Sequence, residues 1–184
     1  MHAIEQQLRP LRRLFDLLAK DTIAVVGGSR KRLSQTKRRS FIRALFAWIE
    51  ADTFNRKQIA LLLHHQGHVD FSAAELALLR EEHYDLDPKG RARTQQKFLR
   101  LGENFRFGVR CFCKATGIDY NVETGNQGWE GFLRSIKLRN RITHPKNPAD
   151  LFVSDNDLQE IWNTFLWFKN NSQQISQKLS EKYP

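Results

Sequence analysis

Apolar residues recur at spacings of three and four along most of the chain, and no sustained alternation of apolar and polar positions appears. This pattern predicts helices rather than strands. Leu8, Leu11, Leu14, Phe15 and Leu18 share one side of a first helix over residues 4 to about 23. Pro10 is a candidate for its true first turn, and Gly27 and Gly28 end it. Ser34 can cap a second, longest helix that runs through Phe41, Ile42, Leu45, Phe46 and Ile49 to Leu63 and stops at Gly67. Ser72 followed by Glu75 is a capping box that opens a short third helix. Residues 85–93 hold Pro88 and Gly90 and read as a loop. A fourth helix follows over about 94–115, interrupted by Gly102 and Gly108 and ended by Gly117. A fifth spans about 129–143 and is stopped by Pro145. Ser154 caps a sixth, which runs through Leu158, Ile161, Trp162, Phe165 and Phe168 towards Leu179. The expectation is one all-α domain over residues 1–184, an antiparallel bundle of five to six helices with one or two irregular loops, and disorder confined to residues 182–184.

Composition narrows the class. The chain has 184 residues and two cysteines, too few for a disulfide scaffold and in keeping with a reducing cytosol. Its longest apolar run covers residues 44–49, too short to span a bilayer. The start, Met1-His2-Ala3-Ile4-Glu5-Gln6, lacks an apolar stretch behind a basic one, so no secretory signal is expected and a cytoplasmic location is. The formal charge is +10, which fits nucleic acid, an acidic protein or simple solubility.

The end of the fifth helix carries the candidate chemistry. On a helical wheel its apolar stripe is Trp129, Phe132, Leu133 and Ile136, and Asn140 and Thr143 fall within that stripe. Arg139 lies on one edge and His144 on the other. Polar groups in a core stripe are costly without partners, so they ask for an explanation. Helical spacing alone would set Arg139 and His144 about 140° apart, but Pro145 pushes His144 out of helical geometry, and its ring can swing back towards Arg139. His titrates near neutrality and can move a proton. Arg is always charged and can hold a phosphate or stabilise a phosphorane. Together they suit cleavage of RNA by its own 2′-hydroxyl, a reaction that needs no metal.

Arg139-Asn140-Arg141-Ile142-Thr143-His144 resembles the motif of the HEPN superfamily: an Arg, a polar residue, a few variable residues, then His, at the end of a late helix that a turn and a last long helix follow. Of the histidines, His64, His65, His68 and His83 have no Arg five to seven residues upstream, whereas His144 does. The resemblance covers the last third of the chain well, the second helix loosely, and residues 67–90 hardly at all. It implies a HEPN-like helical bundle and a metal-independent endoribonuclease that uses no cofactor and takes RNA as its partner. His144 would then be the proton-transfer group, Arg139 the phosphate and transition-state stabiliser, and Asn140 the residue that orients them. It also implies a homodimer whose two motifs face one cleft. A role as toxin or antiviral effector goes with it, alongside an antitoxin or defence-system partner protein. The alternative is a HEPN-like module that binds RNA or a protein without cutting.

Other features are weighed against blander roles. Arg30, Lys31, Arg32, Lys37, Arg38, Arg39 and Arg43 form a basic block with no acidic residue between Asp21 and Glu50. Positive charge near a helix start is disfavoured by the dipole, so Arg38, Arg39 and Arg43, with Arg141 of the motif, are candidate nucleic-acid contacts. Glu50 is expected to pair within its helix or face solvent, although it could orient a motif Arg from a neighbouring helix. No metal site is expected, because Gly67 separates His68 from His64 and His65. Cys111 and Cys113 point to different sides of a helix and read as core thiols. Gly27-Gly28-Ser29-Arg30-Lys31 lacks Walker spacing. Trp129, Trp162 and Trp167 are expected in the core. The last helix is apolar on more than one side, which suggests burial beyond one face, as in a dimer interface.

Overall fold

The computed structural model describes residues 2–27 and 33–183. Arg30, Lys31 and Arg32 of the basic block, and Gly28 and Ser29 before them, lie outside the described residues. The described residues form six α-helices and one hairpin: α1 His2–Val26, α2 Gln35–His65, α3 Ala73–Leu79, β1 Glu82–Leu86, β2 Ala92–Gln96, α4 Leu101–Thr116, α5 Gln127–Thr143 and α6 Asp155–Lys182. A 3-10 turn, Pro148–Leu151, lies between α5 and α6. Among the described residues no helix is long and apolar enough to cross a membrane.

Side-chain caps fix most helix starts. Ser34 Oγ accepts from the Lys37 N–H, Ser72 with Glu75 and Ser154 with Asp157 form capping boxes, and Asn126 Oδ1 accepts from the Trp129 N–H. α4 ends at Gly117, which takes the left-handed conformation with φ +63°. Pro10 is not a first turn, because α1 extends on both sides of it.

Helix α2 is the axis of the domain. Its Phe41, Ile42, Leu45, Phe46 and Ile49 are buried against Phe105 and Val109 of α4, Phe132 of α5, and Ile161 and Phe168 of α6. α1 runs antiparallel to α2, since Phe15 packs on Trp48 and the Leu11 carbonyl accepts from Asn55 Nδ2. α5 and α6 are also antiparallel, with Arg141 on Asp157 and Arg134 on Glu160. Gly102 and Gly108 do not interrupt α4. Each lies where a neighbouring helix comes close: a Cβ at 108 would stand 3.3 Å from the Thr53 carbonyl, and one at 102 would stand 2.9 Å from Leu133 Cδ2.

Three expectations change. Residues 82–96 pair as an antiparallel hairpin, with Asp85 opposite Arg93 and Tyr84 opposite Thr94, so the chain is mostly helical but not wholly so. Residues 94–96, read as the start of the fourth helix, are strand. The loop centred on Pro88 and Gly90 is the hairpin turn, closed by Asp87 Oδ1, which accepts from the Lys89 and Arg91 N–H groups. At the other end of the chain, residues 182 and 183 are docked: Lys182 Nζ donates to the Gly117 carbonyl and Tyr183 Oη to the Thr116 carbonyl. The several apolar sides of α6 are covered within the chain, Trp162 and Phe165 by Phe41 of α2 and Trp167 by Phe132 of α5.

Candidate active site

Pro145 ends α5 as its chemistry requires. His144 stands at φ −124°, ψ 59°, outside the helical region, while its N–H still donates to the Asn140 carbonyl at 2.9 Å. Thr143 turns its hydroxyl back onto the Arg139 carbonyl at 2.8 Å. Arg139 Nη1 donates to Asn140 Oδ1 at 2.9 Å, and Nη2 binds the Glu50 carboxylate of α2. Glu50, Arg139, Asn140 and His144 line one cleft of about 1260 Å³. Three residues of the candidate motif and one acid from another helix thus share one solvent-filled space.

The wheel finds the core face of α5 only in part: Trp129 and Phe132 of its stripe are buried, but Leu133 is not. The buried residues are Trp129, Gly131, Phe132, Ser135, Leu138 and Ile142, and Ser135 is satisfied by Thr164 of α6, Oγ to Oγ1 at 2.8 Å. The face that reads as an apolar stripe turning polar is instead the wall of the cleft, from Trp129 through Leu133 and Ile136 to Asn140. Asn140 and Thr143 are exposed, so no buried polar group needs explaining there.

Electrostatics favour the Glu50–Arg139 pair without making it tight. Burial pushes the Glu50 carboxyl above its ordinary range, and the charge and hydrogen bond of Arg139 draw it back part of the way. The side chains are 42 % and 25 % exposed. Bonds to Glu50 and Asn140 leave guanidinium N–H donors over for a further anion.

The described part of the basic block has a different place. Arg38 donates to the Val153 carbonyl at 2.9 Å and to the Leu33 carbonyl, and pairs with Asp155 at 2.6 Å. Arg39 donates to the Leu151 carbonyl at 3.2 Å and Arg43 to the Ile142 carbonyl at 3.4 Å. Gln35 grips Val153 twice, donating to its carbonyl and accepting from its N–H, both at 2.9 Å. The first turns of α2 therefore strap down residues 142–155, the segment in which His144 lies. Arg141 pairs with Asp157 at 3.1 Å. None of Arg38, Arg39, Arg43 and Arg141 lies in the cleft wall. Arg38, Arg39 and Arg43 of the block are thus engaged by the chain itself.

His64 Nδ1 lies 2.9 Å from the Val69 carbonyl, and among the described residues no group of three His, Cys, Asp or Glu side chains comes together as a metal site. Cys111 and Cys113 are buried free thiols. Sequence reasoning did not find Phe98, Arg100, Arg106 and Lys137, which line the same cleft. The one signal for them was an aromatic residue set among the basic residues of 89–100. No protein-family model, curated protein or solved structure matches the chain, so the functional reading rests on the site itself.

Proposed function

We propose that the chain is a metal-independent endoribonuclease of the HEPN type. The observation that carries this reading is the convergence of Arg139, Asn140 and His144 on one open cleft, with Glu50 reaching in from α2 to hold the arginine. In the proposed reaction the 2′-hydroxyl oxygen of a ribose attacks the adjacent phosphorus. The new P–O2′ bond forms as the P–O5′ bond breaks. A proton leaves the 2′-hydroxyl and a proton reaches the departing 5′-oxygen, leaving a 2′,3′-cyclic phosphate and a 5′-hydroxyl. His144 carries the imidazole that would handle that proton traffic. Arg139 is aimed at the negative charge that builds on the phosphorane, and Asn140 and Glu50 orient its guanidinium. The resemblance further implies that two chains pair, with their motifs facing.

The test is incubation of the purified protein with RNA in EDTA. Wild type is expected to cut and to leave cyclic phosphate ends, while His144→Ala and Arg139→Ala lose about 100-fold or more in rate. Equal cutting by all three proteins would identify a contaminant and overturn the assignment. Intact RNA that is nonetheless bound, with affinity lost in Arg139→Ala, would make the chain a binding module.

A further inference from the structure

The cleft has a second set of side chains that the proposed chemistry does not use. Phe98 is 88 % exposed, the highest value among the large hydrophobic residues of the described chain. It stands on residues 97–100, which have no regular structure but are held at both ends. The Lys97 N–H donates to the Glu81 carbonyl at 2.6 Å, and the Arg100 carbonyl accepts the Asn104 N–H of the first turn of α4. Phe54 and Leu133, 44 % and 38 % exposed, lie in the same cleft wall. Scattered single apolar residues on a surface are ordinary, but three exposed ones around one cleft are not.

The charges around them favour an anion. Of the three carboxylates in the wall, Glu50 is taken by Arg139 and Glu81 by Lys57, and Glu103 lies 3.9 Å from Arg100. Arg106, which also lies over the Trp129 ring, and Lys137 add positive charge that no wall carboxylate offsets. A bare aromatic face flanked by cations is the surface that takes an unstacked base with its neighbouring phosphates. A duplex offers no free base face to such a platform. The volume, about 1260 Å³, also exceeds the roughly 300–1,000 Å³ of small-molecule pockets.

We propose that the cleft binds single-stranded RNA, with one base stacked on Phe98 and the flanking phosphates held by Arg100, Arg106 and Lys137, which presents the next phosphate to Arg139 and His144. This rests on the ribonuclease reading for its ligand, yet the two can fail separately.

The experiment measures fluorescence anisotropy of a labelled short polyuridine strand, and of a blunt RNA duplex of the same length, on the His144→Ala protein so that no turnover intervenes. Adding Phe98→Ala is expected to weaken single-strand binding about tenfold or more, whereas Phe98→Trp retains it and duplex affinity does not move. The exposure of Phe98 makes a folding defect a poor explanation, and an unchanged circular-dichroism melt checks that. Equal affinity with and without Phe98, no measurable binding of the single strand, or an equal loss on the duplex would overturn the proposal. So would a fall in oligomeric state with RNA affinity unchanged, which would make the Phe98 face a contact between copies. If wild type never cuts RNA but binding still depends on Phe98, cleavage falls and this inference stands. If wild type cuts and Phe98→Ala changes neither Kd nor KM, this inference falls and cleavage stands.

Discussion

Glu50 of α2 receives the Arg139 guanidinium of α5, 89 positions further along the chain. The pair joins the central helix to the helix that carries the candidate motif, and it makes the position of the cationic group depend on an acid outside that motif. In Glu50→Ala the guanidinium keeps only Asn140 as a side-chain partner, and kcat of the proposed reaction is expected to fall about 100-fold with little change in KM. Unchanged kcat would remove Glu50 from the site.

The same carboxylate predicts a pH signature. Its pKa is raised in the folded chain, by burial first and despite Arg139. The folded chain therefore holds this proton more readily than the unfolded chain. The contribution is fully present below the ordinary value of 4.5 and is lost as the pH rises through the folded value. His144, Lys137 and Glu81 share the cleft, so the comparison must isolate Glu50. Denaturation midpoints of wild type should fall over the window just above pH 4.5 relative to those of Glu50→Gln. Parallel curves would contradict the raised value.

Gln35 and Val153 test the strap. Val153 is fully buried, and Gln35→Ala leaves its N–H without a partner while its carbonyl keeps Arg38. The expected cost is about 1–2 kcal/mol in urea unfolding. The proposed activity should fall further than stability accounts for, because residues 142–155 carry His144. Loss of stability with full activity would show that the strap holds the fold and not the site.

Lys57 is fully buried, and its ammonium is met by Glu81 at 2.6 Å and Asn104 at 3.0 Å. Glu81 has φ +57°, the one described residue other than glycine with positive φ. Glu81→Ala should cost about 3 kcal/mol by leaving a buried cation without its counter-ion. Glu81→Gly loses the same carboxylate but suits the left-handed backbone, so it should be less damaging than alanine by about 1 kcal/mol. Equal losses would mean that backbone strain at Glu81 is negligible.

Burial raises the Cys111 and Cys113 thiols to about 11 each. Neither should react with a thiol reagent at pH 8 in the folded protein, and both should react after unfolding. Rapid labelling of the native chain would contradict their burial.

Much of the helical framework was legible in the sequence because its boundaries are written in single residues. Ser34, Ser72 with Glu75, Ser154 and Gly117 each stand where a cap forms. The hairpin was not legible, since Glu82–Leu86 and Ala92–Gln96 are mostly polar and bury neither face fully, so they leave no alternation to read. The core face of α5 was found only in part for a related reason. Ser135 faces Thr164 in the interior and lowers the apparent hydrophobicity of the true core side, while Leu133 raises that of the cleft side. Arg139, Asn140 and His144 were singled out by spacing and by Pro145. Glu50 is expected within its helix or towards solvent, and its orienting of a motif Arg is only the second reading, because nothing local to α2 marks a partner on another helix.

The contacts that define the cleft and its strap join residues 89 to 118 positions apart. Closing such distances costs loop entropy that contacts within one helix do not, so these contacts come late in folding. The individual helices can therefore be present while the candidate site is not, and a chain still being synthesised has no assembled cleft until residues beyond Val153 have emerged. Stopped-flow refolding should show helical ellipticity ahead of any recovery of RNA cleavage. On this account the order of assembly is itself a safeguard, because the proposed activity has no cleft to act in until α5 and the strap at Val153 are in place.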